Sequence, residues 1–182
     1  MDDLENAALL VIDVQRGFDD PAWGRRDNAG CEANIEQLID AWRDAGRPIV
    51  VVRHDSVTSG SPLRPELPGN ALRSFVPTDP DLFVRKSVNS AFYGEPDLHD
   101  WLRARGIATV VITGVQTNMC CETTARMAGN LGYEVLFAID ATHTFDLAGP
   151  DGDVIPAEEL ARTTAANLHG EFATVVRTAD LV

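Results

Sequence analysis

The sequence predicts a three-layer α/β sandwich around a mostly parallel, six-stranded sheet. Six short apolar runs are continuous rather than alternating, as in strands buried on both faces. Amphipathic helical stretches separate most of them, giving the βα rhythm of a parallel sheet with right-handed crossovers. The length of 182 residues suits a single domain spanning 1–182, and no repeat, charge run or linker divides it.

The predicted strands are Ala8–Ile12, Ile49–Val52, Leu82–Val84, Thr109–Ile112, Val135–Ile139 and Thr174–Val176. After the first, residues 31–45 space Ile35, Leu38, Ile39 and Trp42 by threes and fours, and Gly46 with Pro48 ends the helix. Further helices are read from Asp97 to Arg105, Thr117 to Leu131 and Pro156 to Leu168, stopped by Gly106, Gly132 and Gly170. The segment from Ser56 to Asp81 is rich in Pro and Gly without periodicity, and is expected to form a lid, a binding loop or an oligomer contact.

Composition narrows the function. A hydrophobic content of 45% supports a sizeable core. A formal net charge of −13, from 28 acidic and 15 basic residues, opposes nucleic acid and anionic membranes as partners. No apolar run approaches the ~20 residues of a membrane span, and Met1-Asp2-Asp3-Leu4-Glu5 lacks a basic leader, so a cytoplasmic location is expected. The 3 cysteines, two of them adjacent, do not make a disulfide framework. Phosphate-loop, dinucleotide, Gly-x-Ser-x-Gly and Cys-x-x-Cys motifs are absent from the sequence.

Ligands of open α/β sheets bind beyond the carboxyl ends of the strands. There the first strand leads into Asp13, the third into Arg85-Lys86, and the fourth into Thr113-Gly114-Val115-Gln116-Thr117-Asn118-Met119-Cys120-Cys121. An acid, a cation and a thiol suit nucleophilic catalysis. The thiol needs activation, for which a helix N-terminus and a lysine lower its pKa while a carboxylate takes its proton. Asp13, Lys86 and Cys120 fit these roles, and backbone N–H groups of the same turn can hold an oxyanion. Cys31, at a helix start, reads as structural. His99 and His169 fall in predicted helices, and His143 is placed at the rim after the fifth strand.

Ile12-Asp13-Val14-Gln15 with Gly17-Phe18, Lys86-Ser87-Val88-Asn89-Ser90-Ala91-Phe92, and Gly114-Val115-Gln116-Thr117-Asn118-Met119-Cys120-Cys121-Glu122-Thr123-Thr124-Ala125 together resemble the isochorismatase-like cysteine hydrolases. The resemblance runs through nearly the whole chain. It implies a Rossmann-like αβα sandwich without a dinucleotide, and hydrolysis of a small amide, ureido or carbamoyl carbon–nitrogen bond. The family's spacing selects Cys120 over Cys121, since Thr117 lies three residues before it and Thr124 four after it. By the same resemblance Cys120 is the nucleophile, Asp13 the general base and Lys86 their electrostatic support. The Val115–Gln116 peptide is then cis, and backbone N–H groups of Gln116 and Cys120 form the oxyanion hole.

Metal-dependent relatives carry an Asp-x-His with a further His after the second strand. The His54-Asp55-Ser56-Val57-Thr58 segment offers only two adjacent donors, so no catalytic metal and no cofactor are expected. Substrate-binding candidates are Gln15, Phe18, Trp23, His54, Asn89, Phe92 and Tyr93, whose aromatic members suit a flat substrate. The partner implied is a small-molecule substrate, and the family likeness implies a homo-oligomer, dimer or tetramer, with the Pro-rich loop and the Phe145–Ile155 segment as contact elements. Two alternatives stand beside amide hydrolysis: vinyl-ether cleavage of the isochorismatase kind, which does not need the thiol, and a non-catalytic ligand-binding role.

Overall fold

Strand β1 (Ala8–Ile12) is apolar and buried at every position, which only a central strand with both faces covered allows. The computed structural model, which describes residues 4–182, places it between β2 (Ile49–His54) and β4 (Thr109–Val115), parallel to both. β3 (Leu82–Lys86) extends one side, and β5 (Glu134–His143) and β8 (Thr174–Val176) the other, giving an all-parallel sheet in the order β3-β2-β1-β4-β5-β8.

The two-residue period of β1 sorts the layers. Leu9 and Val11 meet α1 (Cys31–Asp44) through Ile35, Leu38, Ile39 and Trp42. Ala8, Leu10 and Ile12 face α2 (Leu98–Ala104), α3 (Glu122–Asn130) and α4 (Ala157–Leu168) through Leu98, Leu102, Ala125, Ala128 and Leu168. One helix thus covers one face and three the other. Trp42 is fully buried, and its indole N–H donates to the Ala7 carbonyl at 2.8 Å, so its one polar atom is satisfied. Among the described residues no helix is long and apolar enough to cross a membrane.

Three expectations need correction, and one strand pair has no counterpart in the sequence reading. The helix predicted over 117–131 begins as one π-helical turn, Thr117–Cys121, and becomes α3 only at Glu122. β5 does not stop at Ile139 but resumes pairing with β4 beyond an irregularity, so His143 lies inside the strand, 1% exposed, and not at a rim. His169 follows α4 instead of lying within it. A small antiparallel pair, β6 (Leu147–Ala148) with β7 (Val154–Ile155), occupies a segment without strand-like periodicity.

The segment from Ser56 to Asp81 contains only one short 3-10 turn, Pro68–Asn70, yet it is fixed by buried polar contacts. The Asn70 amide donates to the carbonyls of Leu63 (2.8 Å) and His54 (3.1 Å) and to Asp55 Oδ1 (3.0 Å).

Candidate active site

The strand order reverses between β1 and β4, since β1 leads outward to β2 and β4 to β5, and the crevice at such a switch point is where ligands bind. Asp13 stands on one side of it and Cys120 on the other.

Asp13 follows β1 directly and takes a left-handed φ of 54°, a conformation Asp tolerates better than most residues. Its N–H donates to the Val52 carbonyl at 2.9 Å, which anchors the turn to β2. Lys86 closes β3, and its Nζ donates to Asp13 Oδ2 at 2.6 Å and to Cys120 Sγ at 3.4 Å. The Asp13 and Lys86 side chains are wholly buried.

Cys120 sits in the π-helical turn, which wraps around one acceptor: the Gln116 carbonyl takes the N–H groups of Met119 (3.1 Å) and Cys121 (3.2 Å). The Val115–Gln116 peptide is cis. Other residues of the motif serve as mounting. Thr117 Oγ1 donates to Thr142 Oγ1 on β5 (2.9 Å), and Thr124 Oγ1 accepts the N–H of Ala91 (3.1 Å), tying the segment after Lys86 to α3. Gly114 is required by close approach. At φ 125°, a Cβ there would lie 1.9 Å from the Ile12 carbonyl oxygen.

The electrostatics differ from the expected activation by pKa depression. Burial, and then the Asp13 carboxylate, push the Cys120 thiol above its ordinary range, with Lys86 pulling the other way. The resting sulfur is therefore a thiol. Burial disfavours the Lys86 charge, but Asp13 and Cys120 outweigh it and hold the ammonium above the usual lysine value. His54 is held below the usual histidine value by burial and by Lys86, so its imidazole is neutral.

Asp13, His54 and Cys120 face a cavity of about 270 Å³, whose lining does not include Lys86. Asp13, His54, Asn89, Gln116 and Cys120 supply the polar lining, and Phe18, Trp23, Leu63, Met119 and Leu147 the apolar one. Phe18, Trp23 and Phe145 pack as an aromatic cluster with ring centroids 5.1 to 6.2 Å apart. The Trp23 indole N–H is consumed by the Gly17 carbonyl at 2.9 Å, leaving the ring as apolar wall.

Of the sequence candidates, Phe18, Trp23, His54, Asn89 and Gln116 thus come together with Asp13, Lys86 and Cys120. Three do not. Gln15 is fully buried and spends its amide on the backbones of His54 and Asn70. Phe92 packs into the core under α2 and α3, stacked on Tyr133 at 5.8 Å. Tyr93 is 70% exposed and lies outside the cavity lining, bordering an open depression with Asp55, Arg85 and Glu95 that Lys86 also lines.

Asp55 is not free to ligate, since Arg53, Arg85 and Asn70 already occupy both carboxylate oxygens. Leu63, Met119 and Leu147 were missed by sequence reasoning. Met119 adjoins the nucleophile candidate and Leu63 is an isolated apolar residue in a polar loop, both usable signals; Leu147 carried none.

Fold and site define a three-layer α/β protein with a carboxylate, an ammonium and a thiol clustered at the switch point of its sheet. The Isochorismatase domain family model matches residues 7–180. The uncharacterized isochorismatase family protein YrdC of Bacillus subtilis is 37% identical over 179 residues, covering 98% of this chain and 95% of that protein. Nicotinamidase 3 of Arabidopsis thaliana is 33% identical over 190 residues, covering 93% and 84%. A crystal structure of an isochorismatase-family protein from Chromobacterium violaceum superposes with a TM-score of 0.91 at 40% identity, covering 97% of this chain and 92% of that one. The chain belongs to the isochorismatase family and is a hydrolase of that family.

Proposed function

We propose that the protein is a thiol hydrolase of small carbon–nitrogen bonds, acting through a thioester on Cys120. The observation that carries this reading is the buried Lys86 ammonium held between the Asp13 carboxylate and the Cys120 sulfur, at 2.6 and 3.4 Å, with Asp13 and Cys120 both lining a largely apolar cavity. The kinship with a nicotinamidase supports it. The cavity volume of about 270 Å³ lies just below the usual range for ligand sites, about 300–1,000 Å³, which favours a small substrate.

The chemistry follows from the resting charges. Because burial and Asp13 disfavour a free thiolate, the proton leaves Cys120 only as the sulfur adds to the substrate carbonyl, with the Asp13 carboxylate accepting it. Lys86 holds the charge of both partners during that transfer. Backbone N–H groups at Gln116 and Cys120 stabilise the tetrahedral oxyanion. As the carbon–nitrogen bond breaks, the proton on Asp13 passes to the departing nitrogen. Water then adds to the thioester, gives its proton to Asp13, and the acid leaves as Cys120 regains its thiol.

Ammonia release from a panel of nicotinamide, ureido, carbamoyl and aliphatic amides, measured for the wild type and Cys120→Ala, tests the proposal. Release that vanishes in the variant is the expected result. Full turnover by Cys120→Ala would overturn the thiol mechanism and favour vinyl-ether hydrolysis, which does not need the thiol.

A further inference from the structure

An ammonium has three protons to donate, and the Lys86 Nζ has three acceptors around it. Two are Asp13 Oδ2 and Cys120 Sγ; the third is His54 Nδ1 at 3.2 Å. The mechanism above uses only the first two. Since Lys86 can only donate, the His54 Nδ1 that faces it carries a lone pair, and the ring proton is on Nε2.

The mounting of His54 is unusual for a strand end. Gln15 Oε1 accepts its N–H at 3.0 Å, while Gln15 Nε2 and Asn70 Nδ2 donate to its carbonyl at 3.0 and 3.1 Å. Gln15 and Asn70 are themselves buried. Two buried amide side chains are thus committed to fixing the backbone from which this imidazole projects.

We infer that His54 is a positioning residue: by accepting the third Lys86 proton it keeps the ammonium aimed between the Asp13 carboxylate and the Cys120 sulfur. The inference rests on the Asp13–Lys86–Cys120 reading above. The charged and titratable groups around the ring are Lys86 from β3, Asp13 from the end of β1, Cys120 from the turn after β4, and Asp55 next in the chain. Only a neutral imidazole can perform this role. Once protonated it offers no lone pair at Nδ1 and sets a second cation against Lys86.

The test needs no knowledge of the substrate. Iodoacetamide alkylates the Cys120 thiol, forming a sulfur–carbon bond as iodide leaves and the thiol proton passes to Asp13. The rate is read by mass spectrometry of the Cys120 peptide across roughly pH 5–9, for the wild type, His54→Leu, His54→Asn and Lys86→Met.

The wild-type rate is expected to fall more steeply below the ordinary histidine value of 6.5. His54→Asn, whose Oδ1 replaces Nδ1 as an acceptor but does not titrate, keeps the plateau rate and loses the added steepness. His54→Leu slows alkylation about ten- to a hundredfold throughout, the equivalent of one hydrogen bond to a charged group.

Wild-type rate and steepness in His54→Leu overturn the inference. If that variant does not fold, His54→Asn decides, and acid steepness retained there overturns it equally. Lys86→Met alkylating like the wild type refutes instead the underlying role of Lys86. Slowing in Lys86→Met without slowing in His54→Leu refutes the positioning role alone.

Discussion

His143 offers a stability prediction that is independent of catalysis. It is 1% exposed at the end of β5, neither ring nitrogen has a hydrogen-bond partner among the described residues, and its ring packs edge-on to Phe145 with centroids 5.2 Å apart. Burial, and then the Arg26 cation, lower its pKa to about 4, more than the Glu32 carboxylate at 4.0 Å raises it. At neutral pH the contact with Glu32 is therefore not an ion pair. Because the folded-state value lies below the unfolded value of 6.5, the unfolded chain takes up the proton first as pH falls.

Stability contributed by the neutral ring is thus complete above pH 6.5, is lost between 6.5 and about 4, and changes no further below that. At about 1.4 kcal/mol per unit, the loss is about 3 kcal/mol. His143→Leu, of similar volume and without a proton site, is expected to match or exceed the wild type at pH 7, since it also removes two unpartnered polar atoms from the core. Its advantage should then grow by about 3 kcal/mol on acidification. Urea unfolding of both proteins at intervals from pH 7 to about pH 4 reads the difference, in which carboxylates remote from His143 cancel, and Glu32→Gln as a common background removes the one carboxylate that faces the ring. Parallel stability curves would refute the assignment of a buried neutral imidazole.

Other perturbations test the scaffold of the site. Gly114→Ala forces a methyl against the Ile12 backbone at a φ of 125°, and a stability loss of about 3 kcal/mol or more is expected in urea unfolding. Gln15→Leu strips the His54 N–H of its partner and the His54 and Asn70 carbonyls of a donor, and should cost about 2–4 kcal/mol by the same measurement. Lys86→Met leaves a buried Asp13 without its cation, with about 3–5 kcal/mol of stability lost near neutral pH and Cys120-dependent turnover abolished.

The layers of the fold were legible because burial on both faces leaves a one-dimensional trace. Leu9 and Val11 on one side of β1, with Leu10 and Ile12 on the other, must all be apolar when helices cover both faces. The trace fades where strands become polar. Thr142, His143 and Thr144 are buried through packing and hydrogen bonds made by partners distant in sequence, such as Thr117 and Asp27, so the true end of β5 was hidden. The π-helical turn was hidden for a similar reason. Its sequence reads as the first turn of a helix, and only the Gln116 carbonyl capturing two N–H groups shows that the chain is wound wider there.

Legibility of the site divides along the same line. Asp13, Lys86 and Cys120 each lie at or just beyond a strand end, and topology alone draws such positions together. Direction within the crevice is a different matter. Gln15 and His54 both lie near the ends of neighbouring strands and both read as ligand-facing. Yet Gln15 turns inward to hold the His54 backbone, while the His54 ring faces the Lys86 ammonium. Phe92 and Tyr93 diverge likewise: the Ser90 hydroxyl caps a single 3-10 turn, and one ring enters the core while its neighbour faces solvent. A single 3-10 turn is too short to leave a repeating pattern, so no periodicity in the sequence records which of its side chains turns inward. The reacting groups could be read from chain order, whereas the residues that aim them required the hydrogen bonds themselves.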